Sequence, residues 1–501
     1  MFRLAKKKKG VMGKIFSRRI LSLIQLLASI FLLVFVYRLN LLPMKYFIVL
    51  AVILLILVLL VSKLMQVGNK RKKKKHKGGL YVFSKLLCIV LSIFMVLTSL
   101  IYVNRGDSFI SNISGSETQT RVIACYVLND SDITSVNDLK NKKVGYDSKK
   151  STKNISKVKD ILSTKTKGID YVVKSNYTKL ADSLYDGDVD AIVADQSYLS
   201  NLEANHEDFT GETRIIYKKE FVESVTSVTT STDVTSKPFI VYLTGLDTYG
   251  SVSTVSRTDV NLLACVNPNT HQILLVSVPR DTQVKLHRNG KMDKLTHSAN
   301  FGVNETISTM EDFLDTKINY YAKTNFQGIT DIVDAVDGIT INSPYAFTTR
   351  HGNYKIVKGE NKMNGEKALC FVRERYALPN GDFDRGKNQQ LLLKALIKKC
   401  ISTKIITNYE NILTAVEGSF ETNMSSSDIK SLIQMQLDEN IKWSMYNVQL
   451  TGTGVKSTKT YSMPGQNVYT LKPDSKSLNS IKSLIDKIED GNKITKSDIK
   501  E

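Results

Sequence analysis

Four charged residues at the ends of three strand-like runs have the types and spacing needed for phosphate chemistry. The runs FIVYLTGLD, VNLLACV and QILLVSV are apolar and rich in β-forming residues, and NPNT at Asn267–Thr270 is a good turn sequence. If these strands are consecutive antiparallel neighbours, the first ends, the second starts and the third ends at one rim of the sheet. That rim would carry Asp247, Arg257, Asp259 and Arg280.

A second charged group lies in the segment CFVRERYALPNGDFDRGKNQQLLLKAL. Its first part is typical of a strand, which would place Arg373 and Arg375 on one face because side chains two residues apart point the same way. A glycine-containing loop would present Asp382 and Asp384, and a helix is predicted to begin near Arg385. A single arginine here would be interpreted as part of a solvated loop. Several charged residues that directly adjoin apolar strand and helix favour a site.

These residue types suit the neutralisation of a pyrophosphate. Two carboxylates can share a hard divalent cation such as Mg²⁺, whose remaining positions suit water and phosphate oxygens. Arginine forks bind phosphate in bidentate fashion and stay charged. Gln389 follows Arg385 by one helical turn, on the same side. Since departure of a phosphoryl group requires both kinds of neutralisation, the pattern predicts metal-assisted phosphoryl transfer.

Other site chemistries find little support in the sequence. None of the six histidines stands in a recognisable nucleophile motif, and neither HExxH nor GxxxxGK(S/T) occurs. Cys88 lies in a hydrophobic segment, and Cys125, Cys265 and Cys370 lie in apolar runs typical of buried small hydrophobes. The cysteine spacing predicts neither a disulfide framework nor a zinc site.

The elements that position the charged residues are predicted to form a large α/β domain at 239–489. The apolar strands are followed by segments of helical spacing, namely ETISTMEDFLD, FQGITDIVDAV, GKNQQLLLKALIKKC and SSDIKSLIQMQLDE. Apolar faces of this number can enclose a substantial core or line a pocket for an apolar ligand. Core is the default interpretation of any one stripe.

A smaller α/β accessory domain is predicted at 121–221. RVIACYVL and KKVGYD are typical of strands, and KLADSLYDGDVDAIVAD is typical of a helix, a turn and a strand. The stretch resembles one lobe of a type II periplasmic solute-binding domain. A single lobe lacks the cleft formed between two, so a spacer or docking role is favoured over ligand binding. Residues 222–238 are rich in Ser and Thr and are predicted to be a linker.

Three apolar segments in residues 1–106 predict transmembrane helices at about 20–37, 46–62 and 86–103. A helix that rises ~1.5 Å per residue crosses ~30 Å of hydrocarbon with about 17 to 20 residues. A signal peptide is the alternative for the first segment. It fits poorly, because no small-residue cleavage site follows and two more apolar stretches come next.

The net charge of +21 is distributed unevenly along the chain. Residues 1–106 hold twenty Lys and Arg and no Asp or Glu, which leaves the remainder almost neutral. The bases concentrate in 1–19 and 63–85, so these segments are expected to be cytoplasmic, and three crossings place the C-terminal domains outside. The lysine runs can attract anionic lipid or nucleic acid. No nucleic-acid partner is expected, since no folded reader is attached.

Several separate motifs together resemble the LytR-CpsA-Psr (LCP) family. They occur in the family's order within residues 239–489 and are TGLDTYG, VSRTDVNLLACV, ILLVSVPRDT, DIVDAVDGITI, NGEKALCFVRER and GDFDRGKNQQ. The expected fold class is α/β, with three N-terminal transmembrane helices, a small α/β accessory domain and a C-terminal α/β LCP domain whose central mixed sheet is flanked by helices. The spans and accessory domain look most like the capsule-associated CpsA branch.

The resemblance implies an activity at the plasma membrane of Gram-positive bacteria. Members of the family take an anionic glycopolymer, a capsular polysaccharide or a teichoic acid, from a polyprenyl-pyrophosphate carrier and join it to peptidoglycan by a phosphodiester. The chain is therefore expected to be a multi-pass, membrane-anchored extracellular phosphotransferase, with capsule biosynthesis proteins as candidate partners. The lipid tail would lie in an apolar tunnel between sheet and helices.

The resemblance also implies residue roles. Asp247 and Asp259 would bind Mg²⁺, or Mn²⁺. Contact with the pyrophosphate is implied for Arg257, Arg280, Arg373, Arg375, Arg385 and Gln389. Catalytic roles are implied for Arg280, Arg373, Arg375, Asp382 and Arg385. Two departures from the family pattern are Asn388, where many members have arginine, and the run KLTHSANFGV, in which His297 is interpreted as a packed or solvated residue.

Three other functions remain open at this point. A polyprenyl-pyrophosphate phosphatase would use the same site with water as the acceptor. A membrane-bound regulator, such as a transcriptional attenuator, would need a cytoplasmic effector domain, for which 1–19 and 63–85 are too short. A passive binding module would not depend on the charged residues for polymer attachment. No general base is assigned, because a metal-bound carboxylate is a poor base.

Overall fold

The computed structural model describes residues 16–73, 79–103, 114, 118–246, 250–401, 412, 415 and 417–499. These residues group into two units. One unit contains the N-terminal membrane segment together with Ser425–Ile441, and the other contains Ile113–Met424 and Lys442–Glu501. Three apolar helices, followed by two mixed sheets with helices packed on them, confirm the predicted α/β architecture.

Three long helices confirm the predicted membrane segments. They are α1 (Arg18–Leu39), α2 (Met44–Lys73) and α3 (Gly79–Thr98), the last continued by a π-helical turn (Ser99–Val103). All three are long and apolar enough to cross a membrane. They pack on one another through narrow stripes, such as Leu21, Met65 and Cys88 in one cluster. Most of their other large apolar side chains are exposed, as expected for contact with lipid.

The turn between the first two membrane helices contacts a helix from the C-terminal half of the chain. This helix, Ser426–Glu439, is capped by Ser425, whose hydroxyl accepts from the Asp428 N–H at 3.1 Å. The Asp438 carboxylate lies 2.7 Å from Lys45 Nζ. The Gln434 amide donates to the backbone and side-chain oxygens of Asn40 at 2.9 and 3.0 Å. The helix therefore lies at the same end of the membrane bundle as the α1–α2 turn.

The accessory domain is a five-stranded sheet in the order β3-β2-β4-β1-β5. Strands β3, β2 and β4 are parallel, whereas β1 is antiparallel to both of its neighbours. Two helices pack on opposite faces through apolar stripes, α4 on one and α5 on the other. The elements are β1 (Thr118–Leu128), β2 (Lys143–Asp147), α4 (Thr152–Lys165), β3 (Asp170–Lys174), α5 (Tyr177–Tyr185), β4 (Ala191–Asp195), α6 (Leu199–Leu202), α7 (Phe209–Glu212) and β5 (Thr213–Ser224).

The large domain is built on a six-stranded mixed sheet in the order β16-β11-β6-β7-β8-β17. Strands β6 (Phe239–Leu246), β7 (Thr258–Asn267) and β8 (Gln272–Ser277) are consecutive antiparallel neighbours, as predicted. Asn267 forms the NPNT turn between the last two, since its Oδ1 accepts from two following N–H groups at 3.1 Å. One face of the sheet carries the main core, against the helices Val303–Leu314 and Ser475–Glu489.

The remaining elements surround this sheet or extend from it. They are β9 (Gln283–Lys285), β10 (Met292–Lys294), α8 (Leu295–Ser298), α9 (Val303–Leu314), β11 (Tyr320–Thr324), α10 (Phe326–Ala335), β12 (Ile339–Ser343), β13 (Phe347–Thr348), β14 (Lys355–Ile356), β15 (Gly359–Met363), α11 (Gly365–Arg373), α12 (Asp382–Cys400), β16 (Phe420–Thr422), α13 (Ser426–Glu439), β17 (Ser444–Gln449), β18 (Gly452–Ser457), β19 (Val468–Pro473) and α14 (Ser475–Glu489).

Two predicted elements near the site were wrong in type or boundary. The run that ends at Arg373 is the helix α11 rather than a strand, because Asn364 caps it by accepting from the Lys367 N–H at 3.1 Å. A residue larger than Gly365 could not pack there, since a Cβ would lie 2.1 Å from the Thr330 carbonyl oxygen of α10. Helix α12 begins at Asp382, so this residue lies in the first helical turn rather than in a loop.

Candidate active site

Two strand ends and one helix start bring opposite charges together at one rim of the large sheet. Asp259, near the start of β7, lies 2.8 Å from Arg280 Nη1 and 3.6 Å from Arg385 Nη1. Arg385 in turn lies 2.6 Å from Asp382 in the preceding turn of α12. The structure thus joins the two charged groups, which are separated by more than a hundred residues in sequence, into one cluster.

The arginines keep the Asp259 carboxylate ionised. Burial alone would raise its pKa, but the charges of Arg280, Arg385 and Arg257 outweigh burial and lower the pKa of Asp259 to about 2. Burial alone would lower the pKa of Arg280, but the Asp259 and Asp281 carboxylates outweigh burial and raise that pKa above its ordinary value. Asp259 and Arg280 therefore both stay charged at neutral pH.

Backbone contacts fix the rim residues on the sheet. The Val278 N–H donates to the Asn261 carbonyl at 3.0 Å, which carries the β7–β8 pairing past the end of the strand to the arginine. The Thr296 N–H donates to the Arg280 carbonyl at 2.9 Å, and its hydroxyl donates to the Thr258 carbonyl at 2.8 Å. One threonine of α8 therefore ties the backbones beside Asp259 and Arg280 to each other.

Helix α12 is anchored to strands β8 and β17 of the large sheet. Gly386 allows close approach, since a Cβ there would lie 2.7 Å from the Gln449 amide nitrogen. The Gln390 amide donates to the Leu275 carbonyl at 3.2 Å and to the Val448 carbonyl at 2.7 Å. These contacts to β8 and β17 hold the first turn of α12, and with it Arg385, over the rim.

The two other predicted arginines lie at the end of α11 and in the loop that follows it. Arg373 stacks over the Phe326 ring with its guanidinium carbon 4.1 Å from the ring centre. Arg375 lies over the Tyr376 ring at 4.5 Å. Between them, Glu374 is buried and accepts from the N–H groups of the residues that follow it, at 2.8 to 3.0 Å. That carboxylate shapes the loop, and the roles of both arginines stay predictions.

Other predicted residues take different positions. Gln389 is buried in α12, one turn after Arg385. Asn388 donates to the Phe371 carbonyl at 3.3 Å and so links α12 to α11. His297 is buried, with Nδ1 2.6 Å from Asp293. Asp247 lies outside the described residues.

Sequence reasoning missed three charged residues of the cluster. Asp281 lies 3.6 Å from Arg280, and Lys294 lies 2.9 Å from Asp281. Glu203, from the accessory domain, lies 3.4 Å from Arg257. The adjacency of Asp281 to Arg280 was a usable signal. No sequence signal pointed to Lys294 or Glu203, because only the fold brings these residues near the cluster.

A partly open apolar face leads away from this rim. Leu243 of β6 pairs with Leu262 of β7 and with Ala322 of β11, so the three side chains share one face of the sheet. Leu243 and Ala322 are only half-buried, as are Val241 and Val260 on the same face. Because α12 packs over the neighbouring strands β8 and β17, these half-buried side chains form an apolar strip beside it, which we term the apolar groove. Val260 of this strip adjoins Asp259.

The cluster has the chemistry to bind a phosphate ester with a divalent cation. Hard carboxylate oxygens that stay ionised suit Mg²⁺, and Asp259 meets this requirement. Among the described residues, no group of three or more His, Cys, Asp or Glu is placed to hold a metal ion. The predicted metal ligands are Asp259 and Asp247, of which the second lies outside the described residues.

Comparison with known proteins places this site in a matched region. The sequence model of the LytR_cpsA_psr family matches residues 203–486. A second model, described as DNA polymerase processivity factor, matches residues 82–194, which include part of α3. That second match covers less than half of the chain and shows no family.

Curated relatives and solved structures match the same half. The polyisoprenyl-teichoic acid–peptidoglycan teichoic acid transferase TagU of Bacillus licheniformis is 33% identical over 245 residues, 49% of this chain and 76% of that protein. The protein of the same name from Enterococcus faecalis is 37% identical over 199 residues, 39% of this chain and 65% of that protein. The structure of TagV from Bacillus subtilis is 26% identical, with a TM-score of 0.44, and covers 51% of this chain and 98% of its own.

Proposed function

Because the chain belongs to the LytR-CpsA-Psr family, we propose that it is a membrane-anchored transferase that moves an anionic glycopolymer from a polyprenyl-pyrophosphate carrier to peptidoglycan. The observation that carries the proposal is the arginine-rich cluster around Asp259 at the end of an apolar groove. The carrier has a doubly charged pyrophosphate joined to a long hydrocarbon tail. A site with a charged cluster next to an apolar surface fits that molecule.

The described cations suit the carrier's pyrophosphate. Arg257, Arg280, Arg385 and Lys294 equal in number the carboxylates of Glu203, Asp259, Asp281 and Asp382. Arg373, at the end of α11, and Arg375, just after it, add two positive charges in the segment that precedes α12. An anion entering this cluster gains electrostatic stabilisation without reorganising the protein. Because the arginines stay charged, they can also stabilise the negative charge that develops on the departing phosphate.

The proposed reaction is substitution at the phosphorus next to the sugar. A hydroxyl of peptidoglycan attacks this phosphorus, the new P–O bond forms, and the bond to the bridging oxygen breaks. Polyprenyl phosphate leaves with the electron pair, and the hydroxyl proton passes to solvent or to a base that we do not assign. Asp259 is a poor candidate for that base because its pKa is about 2. Its carboxylate instead positions two arginines.

The groove on the sheet suits the first part of the polyprenyl tail. Val241, Leu243, Val260 and Ala322 offer apolar surface that is not fully covered by other side chains. Burial of hydrocarbon against such a surface stabilises the complex by about 25 cal/mol for each Å² removed from water. Because Val260 adjoins Asp259, a tail bound there would leave its pyrophosphate at the cluster.

We also propose that Mg²⁺, or Mn²⁺, takes part. Asp247 and Asp259 would hold the ion, which when bound supplies further positive charge next to the pyrophosphate. The carboxylate chemistry of Asp259 supports this part of the proposal. Purified protein stripped with a chelator should lose transfer, and Mg²⁺ should restore it.

The catalytic half is proposed to lie on the outer side of the plasma membrane. Lys and Arg concentrate in 1–19 and 63–85, which favours a cytoplasmic location for these segments. The Lys45–Asp438 ion pair joins the α1–α2 turn to α13, so both would lie on the same side of the bilayer. The α1–α2 turn would then be extracellular, together with α13.

A reconstituted transfer assay tests the proposal. Full-length protein in lipid nanodiscs receives a lipid-linked teichoic acid or capsular glycan together with nascent peptidoglycan, and the products are separated by mass. A glycan–peptidoglycan conjugate linked by a phosphodiester is expected. Free glycan phosphate without conjugate would show hydrolysis instead and would contradict transfer.

Two variants link the activity to the cluster. Arg280→Ala removes the cation closest to Asp259, and transfer should fall by about a hundredfold. Lys496→Ala removes one exposed positive charge far along the chain and serves as the matched control. Equal activity of both variants would show that the cluster does not carry the reaction.

A further inference from the structure

The accessory domain is bonded to the loop that leads into the active site. The Thr120 N–H of β1 donates to the Ser253 carbonyl at 2.8 Å, and the Val255 N–H donates to the Thr120 carbonyl at 2.8 Å. The hydroxyls of Thr120 and Ser253 lie 3.1 Å apart. Residues 253–255 therefore lie as a short extended segment along β1, and Arg257 follows two residues later.

The accessory domain also reaches Arg257 itself. Glu203 follows helix α6, where its N–H donates to the Leu199 carbonyl at 2.9 Å. Its Oε2 lies 3.4 Å from Arg257 Nη1, and the two side chains are 21% and 31% exposed. An ion pair that is mostly buried can hold a guanidinium in place.

Polar contacts hold Glu203 in position from the accessory side. The buried Asn201 amide, two residues earlier, donates to the Ser462 carbonyl of the large domain at 2.8 Å. Arg121 of β1 donates to the Asn300 carbonyl at 3.1 Å and pairs with the buried Asp195 at 3.1 Å. These contacts therefore hold the accessory domain against the large domain near Glu203.

A lysine adds an aromatic contact to the same interface. Lys150 lies in the loop after β2, with Nζ 5.6 Å from the centre of the Tyr198 ring of the accessory domain. The same atom lies 5.3 Å from the Phe301 ring and 4.2 Å from the Tyr461 ring, both in the large domain. A cation shared among rings of both domains favours one fixed arrangement.

These contacts place the large domain against the strand ends of β2 and β4. In a two-lobed solute-binding protein, that edge would face the ligand and the second lobe. Here the large domain covers it. The arrangement supports a docking role for the accessory domain.

We infer that the accessory domain is a fixed part of the active site and that Glu203 is a positioning residue for Arg257. The inference rests on the proposed function, since Arg257 is assigned there to the pyrophosphate. Arginine is long and flexible, so a free Arg257 would lose rotamer freedom each time it bound phosphate. The ion pair with Glu203 and the β1 contact to its loop restrict this freedom before the substrate arrives.

The test uses full-length protein in nanodiscs and the transfer assay described above. Glu203→Gln keeps the shape of the side chain and removes its charge. Glu207→Gln makes the same change at an exposed position four residues later and is the matched control. Both changes are also made in an Arg257→Ala background, and kcat and KM for the lipid-linked glycan are measured for each protein.

Glu203→Gln should reduce kcat/KM about fivefold, mainly through a higher KM, because a partly exposed ion pair contributes modestly. Glu203→Asp should restore part of the loss, and Glu207→Gln should behave as wild type. In the Arg257→Ala background, Glu203→Gln should cause no further loss, since Glu203 then has no guanidinium to position.

Three results would overturn the inference. Glu203→Gln could match Glu207→Gln, or it could lower kcat/KM equally with and without Arg257, which would indicate a purely structural role. It could also raise kcat/KM, which would mean that Glu203 competes with the pyrophosphate. If wild-type protein cleaves the carrier without forming conjugate, the proposed function fails, and the same comparison made on cleavage still tests Glu203 separately.

Discussion

Replacement of Asp259 by Asn should destabilise the large domain and make its stability depend on a bound anion. The carboxylate lies between Arg280 at 2.8 Å and Arg385 at 3.6 Å, and its side chain is 17% exposed. Asparagine keeps the size and one hydrogen-bond acceptor but removes the negative charge. The two guanidinium groups would then lose the carboxylate that lies between them.

The magnitude follows from the pKa of Asp259. The arginines lower this pKa from 3.8 to about 2, and each pKa unit corresponds to about 1.4 kcal/mol. The charge therefore contributes about 2.5 kcal/mol to the free energy of unfolding at neutral pH. For a domain of this size the unfolding midpoint should fall by about 5 to 10 °C.

The single tryptophan provides the assay. Trp443 lies just before β17, and its ring is 6.0 Å from the ring of His271, which lies just before the neighbouring strand β8. Its fluorescence therefore reports on the folding of the large sheet. Thermal unfolding is recorded for wild type, Asp259→Asn and Asp130→Asn, an exposed control in the accessory domain. Inorganic pyrophosphate should raise the midpoint of Asp259→Asn more than that of wild type, because it replaces the missing negative charge.

The pH dependence gives a second check on the same reasoning. Since the folded-state pKa of Asp259 lies below the unfolded value, its contribution is complete above about pH 5 and is lost as the pH falls through 4 towards 2. The difference between wild type and Asp259→Asn should shrink over that range. An unchanged midpoint for Asp259→Asn at pH 7, or greater stabilisation of wild type by pyrophosphate, would refute the electrostatic account.

Two further predictions concern the lipid groove and the membrane orientation. Leu243→Ser should raise the KM for a carrier with a long polyprenyl tail about fivefold, through lost apolar contact, but should leave the KM for a short-tailed analogue unchanged; equal increases for both would argue against the groove. In a Cys400→Ser background, a membrane-impermeant maleimide applied to intact cells should label Asn40→Cys and spare Lys70→Cys. The reverse labelling pattern would contradict the proposed orientation.

Local sequence patterns were sufficient for most elements. The membrane helices were predictable because a bilayer requires long apolar segments. Strands β6, β7 and β8 were predictable because each is an apolar run, and a good turn sequence separates the last two. Antiparallel order then placed Asp259 and Arg280 at one rim, where they lie 2.8 Å apart. In this part of the site, chain order and strand direction settle which residues meet.

The prediction of a strand before Arg373 was wrong for a physical reason. The run ALCFVR is rich in residues that favour strands when half-buried, yet all of Ala368–Val372 is buried in a helix. Asn364 caps that helix, and Gly365 lets it pack against α10. Tertiary packing overrode local preference here, because burial on all sides removes the periodicity that distinguishes the two structures.

The sequence alone determined the three apolar helices, the main strands, and which carboxylates and arginines adjoin those strands, because these depend on composition, periodicity and chain order. Only the tertiary structure decided which distant charges complete the cluster. Lys294 joins the cluster because β10 packs beside the rim, and Glu203 joins it because the accessory domain packs against the large domain. No local sequence pattern predicts such contacts. Local sequence patterns specify helices and strands, whereas contacts between residues far apart in sequence depend on how those helices and strands pack.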